Sequence, residues 1–144
     1  MNDTTLLELM PLLKQRGIGL INAAAVSMGL LTLRGPPSWH PAGDRVKKIC
    51  KKAAEYCDSQ NVDISKLAMH FSLHTNKKIP TCLVSTASMV NLEKNLKSVH
   101  ESLTKKEKEV SAYCMQKFFN KPLSWSGHEV KQFRSDLKAA KAAM

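Results

Sequence analysis

His70 and His74 stand four residues apart in a stretch with helical patterning, the spacing that lets two imidazoles on one helix face share a metal. No Glu follows His70 and no third ligand is evident, so no metal site is assigned. Cys50, Cys57, Cys82 and Cys114 occur singly, without a C-x-x-C pair, which supports neither a zinc ribbon nor a redox motif. They read as reduced core thiols. Gly17-Ile18-Gly19 has part of a dinucleotide-binding fingerprint, but it precedes its strand, and Asn22 stands where the third glycine belongs. More suggestive is Ser85-Thr86-Ala87-Ser88-Met89-Val90-Asn91-Leu92-Glu93-Lys94-Asn95. It passes from a strand end through small polar residues into a helix start, where free backbone N–H groups and the helix dipole favour a phosphate. Every strand-to-helix turn has such an end, and taken alone the segment is more simply an ordinary cap.

Charge offers a second chemistry. Among 144 residues, 22 Lys plus Arg against 12 Asp plus Glu leave a formal charge of +10, which invites a phosphate-binding reading. Lys47, Lys48, Lys51 and Lys52 instead line one helix as a solvated face would, and aromatic residues, 6% of the chain, do not interleave the basic runs. Nucleic-acid binding is therefore disfavoured, and the lysines of residues 131–141 read as a solubilising tail. A composition of 43% hydrophobic and 24% charged residues excludes collagen-like, disulfide-scaffold and strongly disordered classes. Residues 17–33 are uncharged, but three glycines, Asn22 and Ser27 and a length below the ~20 residues of a bilayer span argue for buried globular structure. The acids of Met1-Asn2-Asp3-Thr4-Thr5-Leu6-Leu7-Glu8 stand where a signal peptide needs bases, so a cytoplasmic, reducing location is expected.

The elements that must position these residues follow from periodicity. Asp3 or Thr4 can cap a helix through Leu6, Leu9, Met10 and Leu13 that Gly17 ends. Ile18-Gly19-Leu20-Ile21-Asn22 and Thr81-Cys82-Leu83-Val84-Ser85 read as short strands buried on both faces of a parallel sheet. Residues 34–43, with three prolines and two glycines, form a loop. A helix starting at Gly43 or Asp44 buries Val46, Ile49, Cys50, Ala53, Ala54 and Cys57, and Asp63 caps another carrying Ile64, Leu67, Ala68 and Phe71 before it frays in residues 74–78. Ser88 opens a helix with Met89, Leu92, Leu96 and Val99 on its apolar face, and Thr104-Lys105-Lys106-Glu107 is a capping box for a helix with Val110 and Cys114 inward. The alternation is α/β, with two strands that need neighbours to bury both faces.

These residues resemble the C-terminal part of an aldo/keto reductase. Gly17-Ile18-Gly19-Leu20-Ile21-Asn22-Ala23-Ala24-Ala25-Val26-Ser27-Met28-Gly29-Leu30-Leu31 is similar to the family's seventh barrel strand and the loop after it, and Gly35-Pro36-Pro37-Ser38-Trp39-His40-Pro41 resembles the way the L-galactose dehydrogenase-like branch continues. Ile64-Ser65-Lys66-Leu67-Ala68 with Phe71-Ser72-Leu73 resembles the seventh helix, and residues 82–95 resemble strand eight and its helix.

The resemblance implies a partial (β/α)8 TIM barrel of about two strands, equivalent to strands 7 and 8 with flanking helices, over residues 1–127, and a basic tail over 128–144. A complete barrel needs about 200–250 residues. It further implies that NADP or NAD is held by Ala24, Val26, Ser85, Thr86, Ser88, Asn91, Lys94 and Asn95. Several of these depart from the family: Lys94 replaces an acid, Asn91 shortens a Gln or Arg, and Ala24-Ala25-Val26 stands for Ser-Pro-Leu. The family's catalytic Asp, Tyr, Lys and His belong to the first half of the barrel, so no catalytic residue is assigned and the chain is expected to be inactive alone. The function implied is a truncated NAD(P)H-dependent oxidoreductase that reduces carbonyls or oxidises alcohols or sugars only in a complete barrel. Two alternatives stand beside it: a non-catalytic interaction module whose strand edges pair with a protein partner, and a basic protein that binds nucleic acid or membrane surfaces.

Overall fold

The computed structural model describes residues 1–74, 79, 81–125, 127 and 135. Helix α1 (Leu6–Gln15) leads into β1 (Ile21–Ala23) and a short 3-10 turn at Ser27–Gly29; α2 (Asp44–Ser59) and α3 (Ile64–His74) follow, then β2 (Thr81–Leu83), α4 (Met89–His100) and α5 (Lys105–Lys117). The order matches the alternation read from periodicity. Residues 75–78, where α3 was expected to fray, lie outside the described residues, as does the expected basic tail apart from Ser135.

Local chemistry sets most boundaries. Thr5, one residue later than expected, occupies the N-cap of α1, and the Asp3 carboxylate accepts from both its backbone N–H and its hydroxyl. At the other end Gly17 adopts φ +63°, the Ile18 N–H donates to the Leu13 carbonyl at 2.9 Å and the Gly17 N–H to that of Lys14 at 3.2 Å. This is a Schellman stop, which satisfies the last carbonyls of the helix. A Cβ at Gly17 would meet nothing within 4 Å, so Gly17→Ala should cost only the left-handed backbone penalty. A loss of about 1 kcal/mol in urea unfolding is the expected outcome. Asp63 caps α3 as expected, its Oδ1 accepting from the Ser65 N–H at 2.8 Å. The capping box of α5 is complete: the Thr104 N–H donates to Glu107 Oε2 at 2.8 Å and the Glu107 N–H to Thr104 Oγ1 at 3.2 Å.

The core lies where α2, α3 and α5 meet. Cys50, Ala53, Ala54 and Cys57 of α2 join Ile64, Leu67 and Ala68 of α3 and Val110 and Cys114 of α5, with Leu30 and Leu31 from the turn after β1. The Cys57 and Cys114 sulfurs are 3.5 Å apart and share a hydrogen bond, and all four cysteines are free. The small residues of α2 let the helices approach closely, which is why an alanine-rich and cysteine-rich stripe serves as core here.

Two expectations fail at the sheet. β1 and β2 pair in parallel with Asn22 opposite Cys82, and this face meets α3: Asn22 Nδ2 donates to Ser72 Oγ at 2.9 Å, and Ser72 Oγ lies 3.4 Å from Cys82 Sγ. The opposite face is open, with Ile21 65% and Leu83 64% exposed. The strands are shorter than the runs 18–22 and 81–85 and are not buried on both faces, because among the described residues no second layer covers the pair. In α4, Met89, Leu92, Leu96 and Val99 share one face as read, and that face is exposed: the helix packs on α3 through buried Ser98, whose carbonyl lies 2.9 Å from His74 Nε2.

Candidate functional site

The parallel pairing sets the end of β1 beside the end of β2, and each strand leads into a polar turn. After β2, Thr86 Oγ1 accepts from the Ser88 N–H at 3.3 Å and donates to the Ser88 carbonyl at 3.2 Å, folding the chain sharply into α4. Ser88 takes the extended N-cap conformation, yet its hydroxyl makes no capping bond. The first-turn N–H groups of α4 thus keep their donor capacity and the positive end of the helix dipole.

A groove of about 350 Å³ runs between this turn, the N-terminal half of α3 and the polar face of α4. Its size falls within the ~300–1,000 Å³ of small-molecule sites. Val26, Ser85, Thr86, Asn91, Lys94 and Asn95, all expected at a cofactor site, line it together. Two expected residues do not join them. Ala24, with φ +58°, turns toward a separate cavity of about 610 Å³ beside α1, and Ser88 sits at the N-cap of α4 outside the groove lining.

Residues that sequence reasoning passed over also line the groove, among them Asp63, Ser65, Lys66, Lys97 and Glu101. Asp63 Oδ2 lies 3.5 Å from Lys94 Nζ, and Lys66 Nζ lies 2.8 Å from Glu107 Oε1. Lys97 makes no ion pair among the described residues, and the carboxamides of Asn91 and Asn95 make no hydrogen bond among them. The groove thus offers ammonium groups, hydroxyls, two unengaged carboxamides and the start of a helix. That set fits the phosphate and polar ring atoms of a nucleotide, and the departure at Lys94 is balanced locally by the Asp63 carboxylate.

His70 and His74 place their rings 4.3 Å apart, and among the described residues no group of three or more His, Cys, Asp or Glu converges on one point. Burial, then the neighbouring His74 and Lys108, hold the His70 imidazole below its ordinary pKa. His74 is occupied with the Ser98 carbonyl and so joins α3 to α4.

The aldo/keto reductase family model matches residues 2–112. The chain belongs to the aldo/keto reductase family. Its two parallel strands and flanking helices are accordingly a portion of that family's (β/α)8 barrel, an oxidoreductase scaffold. The chain is 46% identical over 100 residues to L-galactose dehydrogenase of Arabidopsis thaliana, a match covering 69% of this chain and 31% of that protein. It is 26% identical over 113 residues to D-arabinose 1-dehydrogenase of Saccharomyces cerevisiae, covering 73% of this chain and 34% of that one. The chain thus spans about a third of the length of these aldo/keto reductase relatives. Among the described residues, no helix is long and apolar enough to cross a membrane.

Proposed function

We propose that this chain is the cofactor-binding portion of an NAD(P)H-dependent aldo/keto reductase, and that its groove holds the adenosine end of NADP or NAD. The observation that carries this reading is the convergence of Val26, Ser85, Thr86, Asn91, Lys94 and Asn95 on one cavity. Phosphate oxygens would accept from the first turn of α4 and from the lysines, and Asn91 and Asn95 would meet ring atoms. The nicotinamide of such a cofactor carries the hydride. Moving that hydride also requires an acid to protonate the developing alkoxide, and we assign that role to no residue of this chain, so carbonyl reduction or sugar oxidation belongs to a complete barrel. The relatives named as dehydrogenases of L-galactose and D-arabinose support a sugar as the substrate class. The free cysteines accord with a reducing compartment such as the cytoplasm.

A thermal unfolding curve with and without millimolar NADPH or NADH tests this. The midpoint should rise, since a ligand at about a hundred times its Kd stabilises the folded state by about 2.7 kcal/mol. Substituting both Asn91 and Asn95 by alanine should remove the rise while leaving the ligand-free midpoint in place, because neither carboxamide holds the fold together. An unshifted midpoint for the unaltered chain would refute cofactor binding.

A second reading, the interaction module, is favoured by the exposed faces of β1, β2 and α4. It requires self-association or capture of a protein that completes the sheet, and a stable monomer in size-exclusion and cross-linking experiments would remove its motive.

A further inference from the structure

Three non-glycine residues just after β1, Ala24, Ser27 and Met28, adopt φ of 58°, 52° and 50°. L-residues take up such left-handed conformations only where their surroundings hold them. The turn has some bonds of its own: the Ser27 N–H donates to the Ala24 carbonyl at 2.7 Å, and the Gly29 and Leu31 N–H groups donate to that of Val26 at 3.1 and 3.2 Å. The Leu30 N–H donates to the Ser27 carbonyl at 3.1 Å and Thr32 Oγ1 to that of Gly29 at 2.8 Å, and a further grip on Ser27 comes from another segment. His40, 3% exposed, places Nε2 3.1 Å from the Ser27 carbonyl oxygen, while the Ala42 N–H donates to Nδ1 at 3.0 Å. A carbonyl can only accept and a backbone amide can only donate, so Nε2 carries the hydrogen and Nδ1 the lone pair. Trp125 meets the ring edge-on, with ring centroids 5.1 Å apart.

The held turn is a partition. Val26 lines the groove on one side, and Ala24 and Ala25 line the larger cavity on the other. We propose that His40 is a positioning residue: by donating to the Ser27 carbonyl from a buried, doubly bonded imidazole, it holds the strained turn where Val26 forms a wall of the groove. The consequence for a nucleotide rests on the cofactor reading above; the grip on the turn does not.

The test compares His40→Leu, which keeps bulk and removes both bonds, with His40→Gln, whose carboxamide offers a donor and an acceptor. Amide hydrogen exchange at Gly29, Leu30 and Leu31 should quicken in His40→Leu by about five- to tenfold, the effect of losing one buried hydrogen bond, and return partway in His40→Gln. Exchange at Leu67 and Ala68 in α3 should be unchanged. Equal acceleration at both places, or none at the turn, would overturn the proposal. Should His40→Leu fail to fold, ring nitrogen NMR of the unaltered chain decides: the Nε2–H form supports the proposal and the Nδ1–H form refutes it. With NADPH or NADH added, Kd should weaken in His40→Leu and recover in His40→Gln. If the unaltered chain binds neither nucleotide, the cofactor reading fails and the exchange pattern still decides the role of His40.

Discussion

Replacing Leu67 by alanine is expected to lower the unfolding free energy by about 2–5 kcal/mol. Leu67 is 1% exposed and belongs to the core that joins α3 to α2 and α5, so its removal forfeits both the transfer energy of the lost methylenes and the contacts across the void. The size of the loss depends on how far the surroundings collapse. Here the neighbours are themselves small, with Ala53, Ala54 and Ala68 in the same cluster, and alanine side chains have no rotamers with which to fill a gap. The cost should therefore lie in the upper half of the range. Domains are stable by about 5–15 kcal/mol, so this one change removes much of the total. Leu67→Met, which conserves volume, should cost under about 1.5 kcal/mol. Urea unfolding followed by circular dichroism measures both, and a loss below 1 kcal/mol for Leu67→Ala would show that the interior can close around the gap.

The second large effect is expected at Glu107. Its carboxylate completes the capping box with Thr104 and receives the Lys66 ammonium at 2.8 Å, so one side chain fastens α5 to α3. Glu107→Ala removes the cap bond to the Thr104 N–H and leaves Lys66 without its partner, at a cost of about 2–3 kcal/mol. Glu107→Gln should retain part of the cap and lose the ion pair.

Burial raises the pKa of Glu107, but the Lys66 contact and the backbone and hydroxyl bonds of Thr104 together outweigh it and hold the carboxyl below the ordinary glutamate value. A carboxyl depressed in the folded state favours folding most above its unfolded pKa, near 4.3. Stability from Glu107 should therefore be intact near neutrality and fall as pH drops from about 5 through the lower folded value. The difference in stability between the unaltered chain and Glu107→Gln, measured from pH 7 to pH 3, should shrink in that window. A difference that stays constant would refute the linkage.

How much of this was legible in the sequence depends on how far the deciding contact lies along the chain. The Thr104-Lys105-Lys106-Glu107 box and the Gly17 stop are decided within one turn of helix, and both form as read. The buried stripe of α2 was legible too, since its period alone fixes which residues share a face. For α4 the same period was read correctly: Met89, Leu92, Leu96 and Val99 do share a face, and no described residue covers it. A pattern states which face is apolar and not what lies against it.

At the groove, six of the eight residues implied by the resemblance line one cavity, and Ala24 and Ser88 lie outside its lining. Ala24 turns away because it is left-handed, a conformation that its residue type does not announce. Asp63 was read as a helix cap, which it is; the link of its second oxygen to Lys94 depends on two helices meeting and has no local signature.

The register of the sheet has a kinetic consequence. Ile21 pairs with Thr81, sixty residues along the chain, whereas α2 and α3 are joined by a tight turn in which the Val62 N–H reaches the Cys57 carbonyl at 2.9 Å. Closing a loop of that length costs roughly 3–4 kcal/mol of chain entropy, and a pair of three-residue strands returns little of it until the helices between them are docked. The helix pair should thus nucleate folding, with the strands zipping together late. The groove, whose walls come from the segments after both strands, should take shape only in that final step and be lost ahead of the helical core when unfolding begins.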